Sequence, residues 1–291
     1  MNNNKYMKQV IKLKLINHCQ HKLAIAAICA ALWNVAVQAQ STSVYDTADA
    51  FVLNPGSGNT GTYPNAASQN FGGMNSRSVA SATAQPGNNP ASPSKGEFDS
   101  VLRFNLASTV ATLNSEYGVG DWHISSLSLR LNTSSTVGNS MFNSPGASGS
   151  FNISWMSNDG GWIQGTGSQS PASETGISYN SLQSTLSTTP ATLLNSASYV
   201  ALGTTVPETF SVSTANAGFL SAVMAGDSIS LLLTPADSQV AFNFTSEGYS
   251  GGSNPALYSP TLSIAVVPEP ATAAVLVGGL ALLGIRRRRN R

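Results

Sequence analysis

Six stretches of this chain place apolar side chains at every second position. They carry Leu102, Phe104 and Leu106; Leu127, Leu129 and Leu131; Phe151, Ile153 and Trp155; Ile229, Leu231 and Leu233; Val240, Phe242 and Phe244; and Leu262, Ile264 and Val266. Successive side chains of a strand point to opposite faces, so each stretch has one apolar face to bury. Residues 44–53 read as a first strand and 77–82 as a partly paired one. Turn-rich segments at 54–63, 85–95, 134–149 and 160–176 separate these runs. Segment 85–95 is too long and too rich in Pro and Gly for a tight turn, and is expected to be a mobile loop.

Two short helices are expected. One covers 108–116, with Val110, Leu113 and Tyr117 on one face. The other covers 217–225, with Phe219, Leu220, Val223 and Met224 clustered and Gly226 as its stop. About eight antiparallel strands with long loops predict an all-β domain over residues 40–265. The expected form is a two-sheet, jelly-roll-like antiparallel β-sandwich with one or two short helices and a single core.

The two ends differ from the middle. Lys5, Lys8, Lys12, Lys14 and Lys22 precede an apolar run, 23–37, broken only by Asn34. Val37 and Ala39 suit the −3 and −1 positions of a signal-peptidase site, so residues 1–39 read as a signal peptide cut between Ala39 and Gln40. A retained anchor is the alternative, but the run is short for a span. Cys19 and Cys29 both lie in this segment, so the processed chain has no thiol for disulfides, thiolate metal sites or cysteine catalysis. Over residues 40–267, twelve acidic side chains stand against four basic ones, Arg77, Lys95, Arg103 and Arg130. That acidic balance argues against a nucleic-acid partner.

At the other end, residues 266–291 read as a membrane tail. Pro268-Glu269-Pro270 precedes an uncharged, mostly apolar run at 271–285, then Arg286, Arg287, Arg288 and Arg289. A helix over 271–285 would span roughly 22 Å at ~1.5 Å per residue, with arginines snorkelling to make up the difference. The arginines would stop transfer and stay cytoplasmic, leaving the domain outside. This order of parts resembles the PEP-CTERM sorting signal of Gram-negative bacteria that make extracellular polysaccharide. The resemblance implies recognition by an exosortase, a membrane-embedded protease-transpeptidase that removes the tail near Pro-Glu-Pro. It also implies anchoring in the inner membrane before processing, then release to the cell surface or matrix.

Residues 44–265 resemble the DNRLRE-type β-sandwich domains of secreted bacterial proteins. The matching pieces include Asp49-Ala50-Phe51-Val52, the run 95–106, the run 124–131, and Trp162-Ile163-Gln164-Gly165-Thr166-Gly167. In that superfamily an acidic residue is common where Gln164 stands. Such domains serve as carbohydrate-binding modules, stalks and enzyme attachments, so the resemblance bears on fold more than on function.

After processing, His123 is the one remaining histidine, which leaves no pair for zinc and no partnered triad. Asp99, Glu116, Asp121, Asp227 and Asp237 fall where turns or solvent faces are expected, so no catalytic carboxylate pair is assigned and the chain is read as no enzyme. No cofactor is called for; calcium is the one ion its oxygen ligands would suit. Asp46, Asp49, Asn70 and Asp237 are the candidate ligands, with capped turns as the alternative. Trp162, Tyr179, Tyr249 and Tyr258 are the loop aromatics a sugar ring could stack on, or anchors of loops to the core edge. The reading that follows is a non-enzymatic surface or matrix protein associated with extracellular polysaccharide. A carbohydrate-binding module and a polysaccharide hydrolase are the alternatives.

Overall fold

The first strand decides the architecture. In the computed structural model β1 (Gln40–Asn54) is fifteen residues long. Its residues 40–45 pair with one neighbour, and its residues 46–54 with another. A bulge between Asp46 and Ala48 divides the halves, and bulges bend and twist a strand. The structure describes residues 39–269 except 56–64, 86–93, 135–140, 142–146, 171–172, 203–205 and 248–257. Residues 1–38 of the expected signal peptide, Tyr249, Pro270, the apolar run 271–285 and the four arginines lie outside the described residues.

Nine further strands follow: β2 (Ser76–Ala80), β3 (Glu97–Asn105), β4 (Trp122–Ser134), β5 (Gly149–Met156), β6 (Thr192–Tyr199), β7 (Val206–Val212), β8 (Ser228–Pro235), β9 (Ala241–Thr245) and β10 (Thr261–Pro268). Strand order runs β1-β10-β4-β9-β2-β3, and β3 pairs back onto the second half of β1. Six strands therefore close a ring. From β3 the sheet continues through β8 and β5 to β6, while β7 pairs with β4.

The all-β, antiparallel expectation holds, but the strands form one sheet closed on itself with outer strands, where a two-sheet jelly roll was expected. The physical reason is β1, which is long enough to cross between layers and hydrogen-bond both β10 and β3.

The main core lies between β4, β7, β9 and β10 on one side and β3, β5 and β8 on the other. It holds Leu127, Leu129, Leu131, Phe151, Ile153, Ile229, Leu231, Leu233, Phe242, Phe244, Leu262 and Ile264. Each such side chain contributes roughly 1.5–3 kcal/mol by leaving water. A second cluster joins Phe51, Leu53, Phe71 and Phe98. A third, on the outer face of the sheet, joins Ala50, Val52, Val101, Trp162, Leu182 and Leu232. The second half of β1 is thus covered on both faces, which explains its loss of period-two burial.

Among the described residues, three helices decorate the sheet. α1 (Ala107–Tyr117) buries Val110 and Leu113, as its spacing predicts. α3 (Ala217–Ala225) starts where Asn216 Oδ1 accepts from Phe219 N and ends at Gly226, whose φ of 79° is left-handed. α2 (Tyr179–Thr188), which the apolar pattern does not mark, is fixed by a capping box between Ser178 and Ser181. It buries Leu182 against the outer cluster.

Candidate functional site

Among the described loop aromatics, Trp162 is buried and Tyr179 and Tyr258 are half-buried. Trp162 is 7% exposed and packs in the outer cluster, with Tyr179 partly buried against the same cluster. The Trp162 indole Nε1 donates to Ser230 Oγ at 3.0 Å, and the Arg103 guanidinium lies 4.5 Å from its ring centroid. Asp159 Oδ2 binds both partners, accepting from Arg103 at 2.7 Å and from Ser230 at 2.7 Å. Burial pushes the Asp159 carboxyl up, but hydrogen bonds from Ser230, Gly161 and Arg103 outweigh it and hold the group below its ordinary value. A small cleft beside this cluster is lined by Asp159, Gly160, Trp162, Ile163, Ser181 and Thr185. Tyr258 is half-buried, and its carbonyl accepts from Thr245 Oγ1. Trp155, read from its alternation as core, stacks at a tilt 5.6 Å from Phe219.

Residues 160–170 and 173–177 fold around Asn70. Its Nδ2 donates to Gln164 O at 2.7 Å and Ile177 O at 2.8 Å, while its Oδ1 accepts from Gly72 N at 3.1 Å and Gly167 N at 2.9 Å. Gln164 joins the same group: its Oε1 accepts from Asp49 N at 3.1 Å and its Nε2 donates to Gly72 O at 3.0 Å. Gly165 has φ of 72°, and a Cβ there would lie 2.3 Å from Thr175 O, so this approach requires glycine.

Beside this hub, Asp49 and Arg77 form a buried ion pair. Arg77 also donates to the carbonyls of Asp49, Gly72, Met74 and Ser76. Asp49 Oδ2 accepts from Glu247 N at 2.8 Å. Asp46 is buried next to them, and neither of its carboxylate oxygens has a partner. Burial first, and then the charge of Asp49, hold Asp46 well above the usual carboxylate range. Glu247 is raised by the same two causes.

Of the four candidate calcium ligands, Asp46 and Asp49 therefore share a neighbourhood with Asn70. Asn70 is saturated by backbone groups, and Asp237 instead caps a separate turn, accepting from Ser150, Gln239 and Val240 N–H groups. Among the described residues there is no group of three or more His, Cys, Asp or Glu placed to hold a metal ion. Asp99 needs correction: expected on a turn or solvent face, it is buried in β3 because α2 and segment 157–177 cover the outer face of the sheet. Burial, then Glu97, raises its carboxyl well above the ordinary range. His123 is exposed on β4 between buried Trp122 and Ile124.

The ends of the folded unit complete the picture. β10 is held between β1 and β4, with Val266 opposite Gln40 and Ala265 O accepting from Ser125 Oγ at 3.1 Å. The Tyr117 phenol, at the end of α1, hydrogen-bonds Gln40 Oε1. Past Val266 the strand runs out into Pro268, which has no N–H to donate, and Glu269 is exposed.

Residues 266–290 match the PEP-CTERM protein-sorting motif. No curated protein matches the chain. The PEP-CTERM motif implies an exosortase as processing partner, and export with a C-terminal membrane anchor before processing. Its first residues are the last of β10, so the PEP-CTERM segment leaves the domain directly from a paired strand. Among the described residues no helix is long and apolar enough to cross a membrane; the anchoring run of the motif lies outside them.

The residues that sequence reasoning missed are Arg77, Gln164 and Glu247. Arg77 did carry a signal, since it alternates with Val79 and so occupies a core-facing position in β2. The ends of the expected mobile loop are tied, with Lys95 N donating to Gln85 O at 3.0 Å and Ser94 Oγ to the same carbonyl at 2.9 Å. Its residues 86–93 lie outside the described ones.

Proposed function

We propose that this chain is a non-enzymatic exported surface or extracellular-matrix protein, sorted and processed by an exosortase and associated with extracellular polysaccharide. The observation that carries the reading is the PEP-CTERM match at 266–290, placed directly after the last strand of the domain. A signal peptide at 1–39 supplies the export step in this reading. The polysaccharide part is supported by the acidic, lysine-poor domain and by its resemblance to DNRLRE-type modules. The non-enzymatic part is supported by what the polar groups do: Asp49, Asn70, Arg77 and Gln164 spend their hydrogen bonds on holding backbone segments together.

Glu269 has no structural partner among the described residues, which suits a group presented to a processing enzyme. The test is fractionation and immunoblotting in the native host. Glu269→Ala, and separately the replacement of Arg286, Arg287, Arg288 and Arg289 by serine, should leave the full-length form unprocessed in the membrane or misplaced. If both variants mature and localise like wild type, the sorting reading is wrong and the tail is an ordinary anchor. Retention of the purified domain on extracellular polysaccharide from the same host tests the second part; passage through such a column without delay would remove it.

A further inference from the structure

Both ends of the folded unit leave it at one point. Gln40 pairs with Val266, and partners across an antiparallel ladder have Cα atoms roughly 4.5–5.5 Å apart. Four residues, 267–270, separate Val266 from the uncharged run that starts at Ala271. Fully extended, that stretch reaches at most about 18 Å. Gln40 follows the apolar run 23–37 by two residues, a reach of about 10 Å. The loop 118–121 shares this pole, because Tyr117 contacts Gln40; its Val119 is 84% exposed.

We infer that this pole, formed by the start of β1, the end of β10 and the loop 118–121, is the face the domain turns to the bilayer, and that signal peptidase and exosortase both act there. The inference rests on the sorting reading above. The short tether does the orienting. Gln40, Tyr117, Val119, Asp121, His123 and Val267, which make up the pole, include no lysine or arginine, so anionic lipid offers no separate attraction. Removal of the tail therefore frees the domain completely.

The two cuts also differ in access. Proteases take their substrates as extended segments that pair with the enzyme, and residues just after Ala39 are consumed by the ladder with β10. The bond after Ala39 is open only before β10 has paired. Glu269 is exposed and follows the last residue of β10, so a cut beyond Pro268 lies outside the ladder in the finished fold.

The experiment uses the processed chain, residues 40–291, which has no cysteine of its own, with one new cysteine carrying a fluorophore. Val119→Cys marks the pole. Gln239→Cys marks the opposite end: it is exposed and precedes β9, whose residues pair with Thr133 and Ser134 at the far end of β4. That end is about 35 Å from Trp122 at ~3.3 Å per residue. The protein is reconstituted in phosphatidylcholine–phosphatidylglycerol vesicles containing a headgroup-nitroxide lipid. Quenching at position 119 should exceed that at 239 severalfold, and protease removal of the tail should abolish both. Equal quenching in protein that floats with the vesicles would overturn the inference and leave the tail reading intact. Protein that fails to float would overturn the anchoring itself, and the inference with it. Position 119 still quenched after tail removal would show that the pole binds lipid by itself, which overturns orientation by tether.

Discussion

Asp49 and Arg77 meet inside the closed ring of strands, where their side chains are 0% and 1% exposed. The pair joins β1 to β2 across a stretch that no strand ladder connects, since the one strand that pairs with both is β3. Arg77→Met would leave the Asp49 carboxylate buried beside Asp46 without its cation. Breaking a buried pair in this way costs about 3–5 kcal/mol. Chemical denaturation should show that loss, and the double variant Arg77→Met/Asp49→Leu should recover part of it. A single variant as stable as wild type would mean that the pair contributes nothing to the fold.

Asp46 gives the domain a pH dependence of definite sign. Its folded carboxyl titrates above the ordinary value, so between the two values the folded state holds a proton that the unfolded chain has lost. The stabilisation is complete below the unfolded value and disappears as pH rises through the folded one. Asp99 adds the same trend. Asp46→Asn mimics the protonated side chain, so the melting temperature of that variant should fall less between mildly acidic and alkaline pH than that of wild type. Parallel profiles for the two proteins would exclude Asp46 as the source.

Gln164 uses both ends of its amide, accepting from Asp49 N and donating to Gly72 O. A glutamate in its place can make the first bond and not the second. Gln164→Glu should therefore destabilise by about 1–3 kcal/mol at neutral pH, the cost of leaving buried polar groups unpaired. Acidic buffer should relieve the loss, because the protonated carboxyl regains a donor. A pH-independent loss would point instead to packing.

Leu129 faces the main core with no exposure. Leu129→Asp places an unpaired charge there and should cost several kcal/mol, on the order of complete unfolding for a marginal domain. Circular dichroism of the purified variant is sufficient. A native spectrum with an unchanged melting point would refute the register of β4.

What could be read from the residues was what repeats locally. The apolar alternation marked β3, β4, β5, β8, β9 and β10, and Gly226 marked the end of α3. Strands β6 and β7 escaped because they end the sheet path or hang from it, and their apolar residues are sparse among Ser, Asn and Thr. Helix α2 escaped because its first-turn partner is Ser181, where a capping box usually shows Glu or Gln. The ring itself could not be read: closure depends on where the bulge after Asp46 turns β1, a tertiary event. The same holds for the Asp49–Arg77–Gln164 group, whose members come from three distant segments. The sorting motif was fully legible because its parts are contiguous.

The position of β10 has a consequence for secretion. Nearly the whole domain separates Gln40 from Val266 in the chain, yet they are ladder partners. Joining them carries the loop-closure entropy of every residue between, so this contact forms late and depends on the rest being in place. A polypeptide threading outward amino end first presents β1 early, and must keep its edge waiting until β10 emerges. No sealed barrel can arise halfway through the channel. The strand that shuts the ring is continuous with the sorting motif, so the last strand to be delivered is the one next to the implied membrane anchor.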